Sequence, residues 1–228
     1  MPETSDPDSS GRAGVAAVLL AAGESTRMDQ PKALLEWAGQ PLVQYQVQEL
    51  QGTSAGEIVV VLGHRAHELQ PLVEAVLDPP RTHIFTNVDY RQGKTTSIKA
   101  GLRHLRGACA SVMLLAVDQP RPREVLQRLM DTDLGPGRLI AVPCFRGKHG
   151  HPPLFHARLL PELLAITEER QGMREVLQRH RDSLREVAFD SPLVLTNINT
   201  LEDYRRAREL AGAPGDDAPS HRDPQRPV

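Results

Sequence analysis

Five short apolar runs, separated by segments with hydrophobic residues at helical spacing, constrain the fold of this chain more than any other feature. They are residues 15–20 (VAAVLL), 57–62 (EIVVVL), 82–86 (THIFT), 111–117 (SVMLLAV) and 138–143 (RLIAVP). Runs this uniformly apolar suit parallel strands whose sheet is covered on both faces by helices. Between them, residues 41–50 put Leu42, Val43, Val47 and Leu50 on one helical face. Residues 66–77 do the same with Leu69, Leu72, Val73 and Val76, and residues 95–106 with Ile98, Leu102 and Leu105. Residues 122–130 read as a fourth helix. After residue 143 the pattern changes. A stiff loop spans 149–153, Phe155 belongs to a short strand, and helices cover 158–166 and 173–180. Short strands are expected at 185–189 and 193–196, then a last helix over 201–210 with Thr200 as N-cap and Asp203 in its first turn. Strands alternating with helices make a single α/β domain of three layers with a mostly parallel sheet, residues 14–211.

The ends read differently. Residues 1–13 are rich in Ser, Asp, Pro and Gly, and residues 212–228 carry four prolines and no apolar period. Both are expected to be disordered tails, because they cannot bury enough surface to offset ordering. The first twelve residues are polar and acidic, unlike a secretory signal. No run reaches the ~18 apolar residues of a membrane span. With 27 Lys+Arg against 29 Asp+Glu the chain is nearly neutral, which disfavours broad neutralisation of nucleic-acid phosphates. Neither nucleic acid nor membrane is therefore an expected partner. Two cysteines, Cys109 and Cys144, give no disulfide framework, so a reducing, cytoplasmic location is expected.

Chemistry concentrates after the first strand. The loop reads LAAGESTRMDQPKALL, from Leu20 to Leu35. In an open α/β sheet, ligands bind beyond the carboxyl ends of the strands. Ala21, Ala22 and Gly23 are small enough to let a ring or phosphate approach the backbone, Ser25 and Thr26 add hydroxyls, and Arg27 and Lys32 add two positive charges. No G-x-G-x-x-G occurs. Gln92-Gly93-Lys94-Thr95 ends like a P-loop, but Val88 stands where that motif needs its first glycine, so a P-loop NTPase is excluded. Asp118 ends the most apolar strand and would face the same crevice; the alternative is a cap on the helix that follows.

Five segments in this order resemble the molybdopterin-type nucleotidyltransferases, the molybdenum cofactor cytidylyltransferases in particular. They are L-A-A-G-x-S-x-R-M-x-x-P-K; Asn87…Gly93-x-x-x-Ser97-x-x-x-Gly101; Val117-Asp118-Gln119-Pro120; Gly147-x-x-Gly150-His151-Pro152-x-x-Phe155; and Asn197-Ile198-Asn199-Thr200-Leu201-Glu202-Asp203. The chain departs from the family at Asp29, where the family has Gly, at Asn197 and Asn199, where it has Asp, and at Leu201, where it has Pro. The resemblance implies a Rossmann-like nucleotidyltransferase fold and Mg²⁺-dependent transfer of CMP from CTP to molybdopterin, with release of pyrophosphate. It assigns Arg27, Lys32 and Asp118 to catalysis. Leu20, Ala21, Ala22, Gly23, Asn87 and Ser97 would bind nucleotide, His151 and Arg174 the acceptor, and Asp118 and Asn199 the Mg²⁺. A molybdoenzyme receiving the product is an implied partner. Asn is a neutral oxygen ligand, so the Asp-to-Asn changes weaken metal binding without abolishing it. Two alternatives stay open. One is a nucleotidyltransferase of the same fold with another NTP or a sugar-phosphate acceptor. The other is a molybdenum-cofactor-binding maturation chaperone with little turnover.

His149, His151 and His156 lack the further ligands of a zinc site. Arg121 and Arg123, beside the Asp118 turn, could meet a phosphate, but a solvated helix face is the place expected for them; His64 and His67 are expected at a structural junction, and Arg179-His180-Arg181 at a solvated helix end. No G-x-S-x-G elbow supports serine hydrolase chemistry.

Overall fold

The computed structural model describes residues 14–25, 28 and 30–212. The two tails, up to residue 13 and from residue 213, lie outside the described residues, as do Arg27 and Asp29; Gly212 belongs to the turn that closes the last helix. The first strand, β1 (Val15–Ala21), runs parallel to two neighbours, β4 (Glu57–Leu62) and β6 (Ser111–Ala116). A two-residue hairpin, β2 (Glu36–Trp37) with β3 (Gln40–Pro41), lies between β1 and β4 in the chain. Beyond β4, β5 (Thr82–Thr86) forms the edge. On the other side the sheet continues through β9 (Leu154–His156), β7 (Ile140–Phe145) and β10 (Leu184–Ala188), in the order β10-β7-β9-β6-β1-β4-β5, with β8 (Lys148–His149) paired to β7. β9 is antiparallel to both neighbours, and all pairings outside β8 and β9 in this sheet are parallel.

The unbroken apolarity of the central strands has its explanation in the two layers of helix. Along β1, Ala17, Leu19 and Ala21 point into one core with α1 (Leu42–Gln51), α2 (Ala66–Glu74) and α4 (Arg123–Met130). Ala16, Val18 and Leu20 point into the other, with α3 (Lys94–Arg103), α5 (Leu160–Leu164) and α6 (Met173–Arg179). Successive side chains of a strand face opposite ways, so both sets must be apolar. A third, smaller cluster joins Trp37 and Leu42 to Ile198, Tyr204 and Ala207, and so fastens α7 (Leu201–Leu210) across the end of α1.

Several expected elements shift. Residues 193–196 are no strand: Pro192–Leu195 is a 3-10 turn, with Ser191 Oγ accepting from the amide of Leu193. Pro192 lacks the N–H a ladder requires but suits the first position of a helical turn. The helix expected over 158–166 divides into a 3-10 turn, Ala157–Leu159, and the short α5. The fifth parallel strand begins at Ile140 rather than Arg138. At α7 the expected cap is present in full, Thr200 Oγ1 accepting from Asp203 N and Asp203 Oδ2 from Thr200 N.

Candidate active site

The carboxyl ends of β1 and β6 open into a cavity of about 220 Å³, lined by Leu20, Ala21, Ala22, Gly23, Ser25, Lys32, Lys94, Ser97 and Asp118, among others. Four of the residues expected to hold nucleotide, Leu20 to Gly23, form its floor as β1 runs out. Ser25 fixes the returning loop, its Oγ accepting from Lys32 N at 2.9 Å. Asn87 stands behind the wall rather than in it. It is 5% exposed and spends both side-chain donors on Thr96 Oγ1 (2.9 Å) and Ser97 Oγ (3.0 Å). It thereby orients the hydroxyl that lines the cavity.

At the lip of this cavity Lys32 Nζ donates to Asp118 Oδ2 at 2.9 Å and to Asn199 Oδ1 at 3.0 Å. Three segments remote in sequence thus meet on one cation. Asp118 does not cap the following helix, whose N-cap is Pro122. Its turn is held from below by Gln46 of α1, fully buried, whose Nε2 donates to Gln119 O (2.7 Å) and whose Oε1 accepts from Arg121 N (3.3 Å). Asn199 is held by Asp203, which accepts from the amides of both Asn199 (3.0 Å) and Thr200 (2.9 Å), and Asp118 O accepts from Ile198 N (2.8 Å).

Among the described residues no three His, Cys, Asp or Glu side chains gather as a metal cluster. The oxygen pair of Asp118 and Asn199 nevertheless fits a hard divalent cation. The two oxygens already converge on one positive charge, and Mg²⁺ takes one or two carboxylates, completing its shell with phosphates and water. Asn197 also lines the adjoining cleft, and its buried Oδ1 has no hydrogen-bond partner among the described residues.

Beyond the lip lies a second cleft of about 520 Å³, reached by Lys94, Gln119, His151, Glu168, Arg174, Asn197 and Asn199. His151 and Arg174, the expected acceptor residues, both line it and both continue into a further hollow with Arg181. Burial, reinforced by the charges of Arg121 and Lys94, lowers the His151 imidazole to about 4, so it is neutral at physiological pH. Gly150, just before it, is a site of close approach: a Cβ there would stand 2.1 Å from Val194 O.

Lys94, met in sequence only as part of the rejected P-loop likeness, and Glu168 are not among the expected site residues, yet both line the cleft. Gly93, at φ +120°, opens α3, and Glu168 Oε1 accepts from Thr95 N at 2.6 Å at that helix's N-terminus. The place an N-terminus offers to an anion is here taken by a carboxylate. The available signal was Lys94 itself, a cation in the first turn of a helix, where the dipole disfavours it. Arg121 corrects an expectation outright. It is not on a solvated face but 0% exposed, its guanidinium donating to four carbonyls: Pro120 O, His151 O, Val194 O and Thr196 O. Burial lowers it to about 9, still charged at neutral pH. The three histidines also part: His149 Nε2 lies 2.6 Å from Glu186, and His156 Nδ1 accepts from Arg158 N.

A mostly parallel sheet covered on both faces, with a cavity at its carboxyl edge, is the architecture of the NTP transferase domains. The chain belongs to the MobA-like NTP transferase domain family, which it matches over residues 17–206. It is 33% identical to a probable molybdenum cofactor guanylyltransferase of Trichormus variabilis, over 82% of this chain and 87% of that one. It is 32% identical to the bifunctional protein GlmU of Anaeromyxobacter sp. (strain K), over 77% of this chain, and spans only 36% of that protein's length. Among solved structures, Rv0371C of Mycobacterium tuberculosis in complex with manganese superposes with a TM-score of 0.69 at 25% identity, covering 86% of this chain and 99% of the other. Among the described residues no helix is long and apolar enough to cross a membrane.

Proposed function

We propose that the protein moves a nucleoside monophosphate from a nucleoside triphosphate to an acceptor phosphate. An acceptor phosphate oxygen attacks the α-phosphorus in line, the bond to the bridging oxygen of the β-phosphate breaks, and pyrophosphate leaves. The acceptor is already an anion, so no strong base is required, and positioning with charge neutralisation carries the rate. Leu20–Gly23 would cradle base and ribose, with Ser97 beside them. Lys32 would offset charge on the phosphates, joined by Arg27. His151, neutral, and Arg174 would receive the acceptor in the second cleft. A Mg²⁺ held by Asp118 and Asn199 supplies further neutralisation of phosphate charge when bound.

One observation carries this reading. The Lys32–Asp118–Asn199 contact lies where the glycine-floored cavity meets the cleft of His151 and Arg174, at the place where two phosphate-bearing substrates would react. The resemblance of Leu20-Ala21-Ala22-Gly23 to the cytidylyltransferase loop favours CTP, with molybdopterin as acceptor. The relatives bear several different names, GlmU and a probable molybdenum cofactor guanylyltransferase among them, and this supports a different NTP or a sugar-phosphate acceptor better than CTP with molybdopterin. Pyrophosphate release with Mg²⁺ and each of CTP, GTP, ATP and UTP, against molybdopterin and a panel of hexose 1-phosphates, decides between them. One nucleotide–acceptor pair is expected to stand out. Tight cofactor binding with no metal-dependent pyrophosphate release from any pair would instead select the maturation chaperone.

A further inference from the structure

We infer that Arg121 is a positioning residue for nucleotidyl transfer, an internal clamp that sets the distance between the two halves of the active site. Its Nη1 donates to Pro120 O at 2.8 Å, in the turn that follows Asp118. Its Nε donates to His151 O at 2.8 Å, in the loop that faces the acceptor cleft. Its Nη2 donates to Val194 O and Thr196 O, both at 2.9 Å, in the segment leading to Asn197 and Asn199. The same Val194 O also accepts from His151 N at 2.9 Å, and Gly150 leaves the room for this approach. One rigid planar group therefore ties together the three loops that bear Asp118, His151 and Asn199.

The chemistry of the choice points to position rather than stability. A fully buried charge is costly, and none of these hydrogen bonds goes to a carboxylate. Water or an uncharged side chain could satisfy single carbonyls. Only a guanidinium offers five donors in a fixed fork, and so fixes the angle between the loops as well as joining them. Lysine would keep the charge but, as a flexible point donor, not the geometry.

The inference rests on the nucleotidyltransferase reading, and Arg121→Lys and Arg121→Met separate the two. Melting temperature, Mn²⁺ affinity by electron paramagnetic resonance in the presence of the nucleotide that most raises the melting temperature, and kcat and KM with the best nucleotide–acceptor pair are measured together. With both variants folded at the assay temperature, Mn²⁺ Kd is expected to rise at least tenfold and kcat to fall at least tenfold. KM for the nucleotide, which meets the β1 loop instead, should change less than threefold. Lysine should restore part of the methionine loss. A lowered melting temperature with Mn²⁺ Kd and kcat within twofold of the unaltered protein would make Arg121 a stabilising residue only and overturn the inference. Failure of both variants to fold would overturn it as well. Should the unaltered protein release no pyrophosphate from any pair, the functional reading fails, while the Mn²⁺ affinities still decide whether Arg121 sets the site.

Discussion

Lys32 and Asp118 are each 25% exposed or less and 2.9 Å apart, so their charges act on one another and on any ligand in a partly desolvated lip. There a point charge is worth more to a developing anion than in water. Lys32→Ala and Asp118→Ala are each expected to lower kcat by about 10²-fold or more. Near-normal turnover in both would remove the mechanism. His151 carries a separate expectation. Its folded-state value of about 4 lies below its ordinary 6.5, so the unfolded chain takes up the proton first as pH falls. The stability it contributes is complete above about pH 6.5 and is lost as pH falls toward 4, by up to about 3 kcal/mol. Urea midpoints for the native chain and His151→Gln, compared between pH 7 and pH 4.5, test the sign: the native chain should lose more. Sequence alone marked Lys32, Asp118, His151, Arg174 and Asn199 as residues of interest. It misplaced Arg121, because nothing in Gln-Pro-Arg-Pro-Arg distinguishes a buried arginine from a solvated one. Burial there depends on Val194 and Thr196, more than 70 residues away.

Elements were legible in proportion to how local their causes are. The strands 57–62 and 82–86 and the helix 201–210 have the bounds expected of them, since apolar runs and a capping box are written in adjacent residues. The region after residue 143 was not so readable. β9 has only three residues and enters the sheet between β6 and β7, against the parallel grain, a placement set by pairing partners rather than by its own composition. Gly150 shows what that packing demands. Its amide donates to Pro143 O at 2.7 Å, and an added Cβ would meet the backbone at Val194, which cannot move like a flexible side chain. Gly150→Ala is therefore expected to cost about 1–3 kcal/mol, a fall of about 2–12 °C in melting temperature for a domain of this size. An unchanged melting curve would mean that the two loops are not held in contact.

For the whole molecule, binding and stability are one measurement. A nucleotide with Mg²⁺ that binds the folded state at a hundred times its Kd adds about 2.7 kcal/mol, about 5–10 °C on the melting curve. The nucleotide that serves as donor should give the largest rise, and Asp118→Ala should reduce the metal-dependent part. Equal shifts from all four triphosphates would argue against selection by the β1 loop. The sequence by itself determined that there would be a doubly covered parallel sheet with a glycine loop after its first strand, because two cores facing one strand require apolar residues at every position. The tertiary structure alone decided that Lys32 meets Asp118 across 86 residues and Asn199 across 167, and that a buried guanidinium holds their loops. Strand order and loop closure act between segments with no neighbourhood in the chain, so no local pattern can record which side chains they bring together.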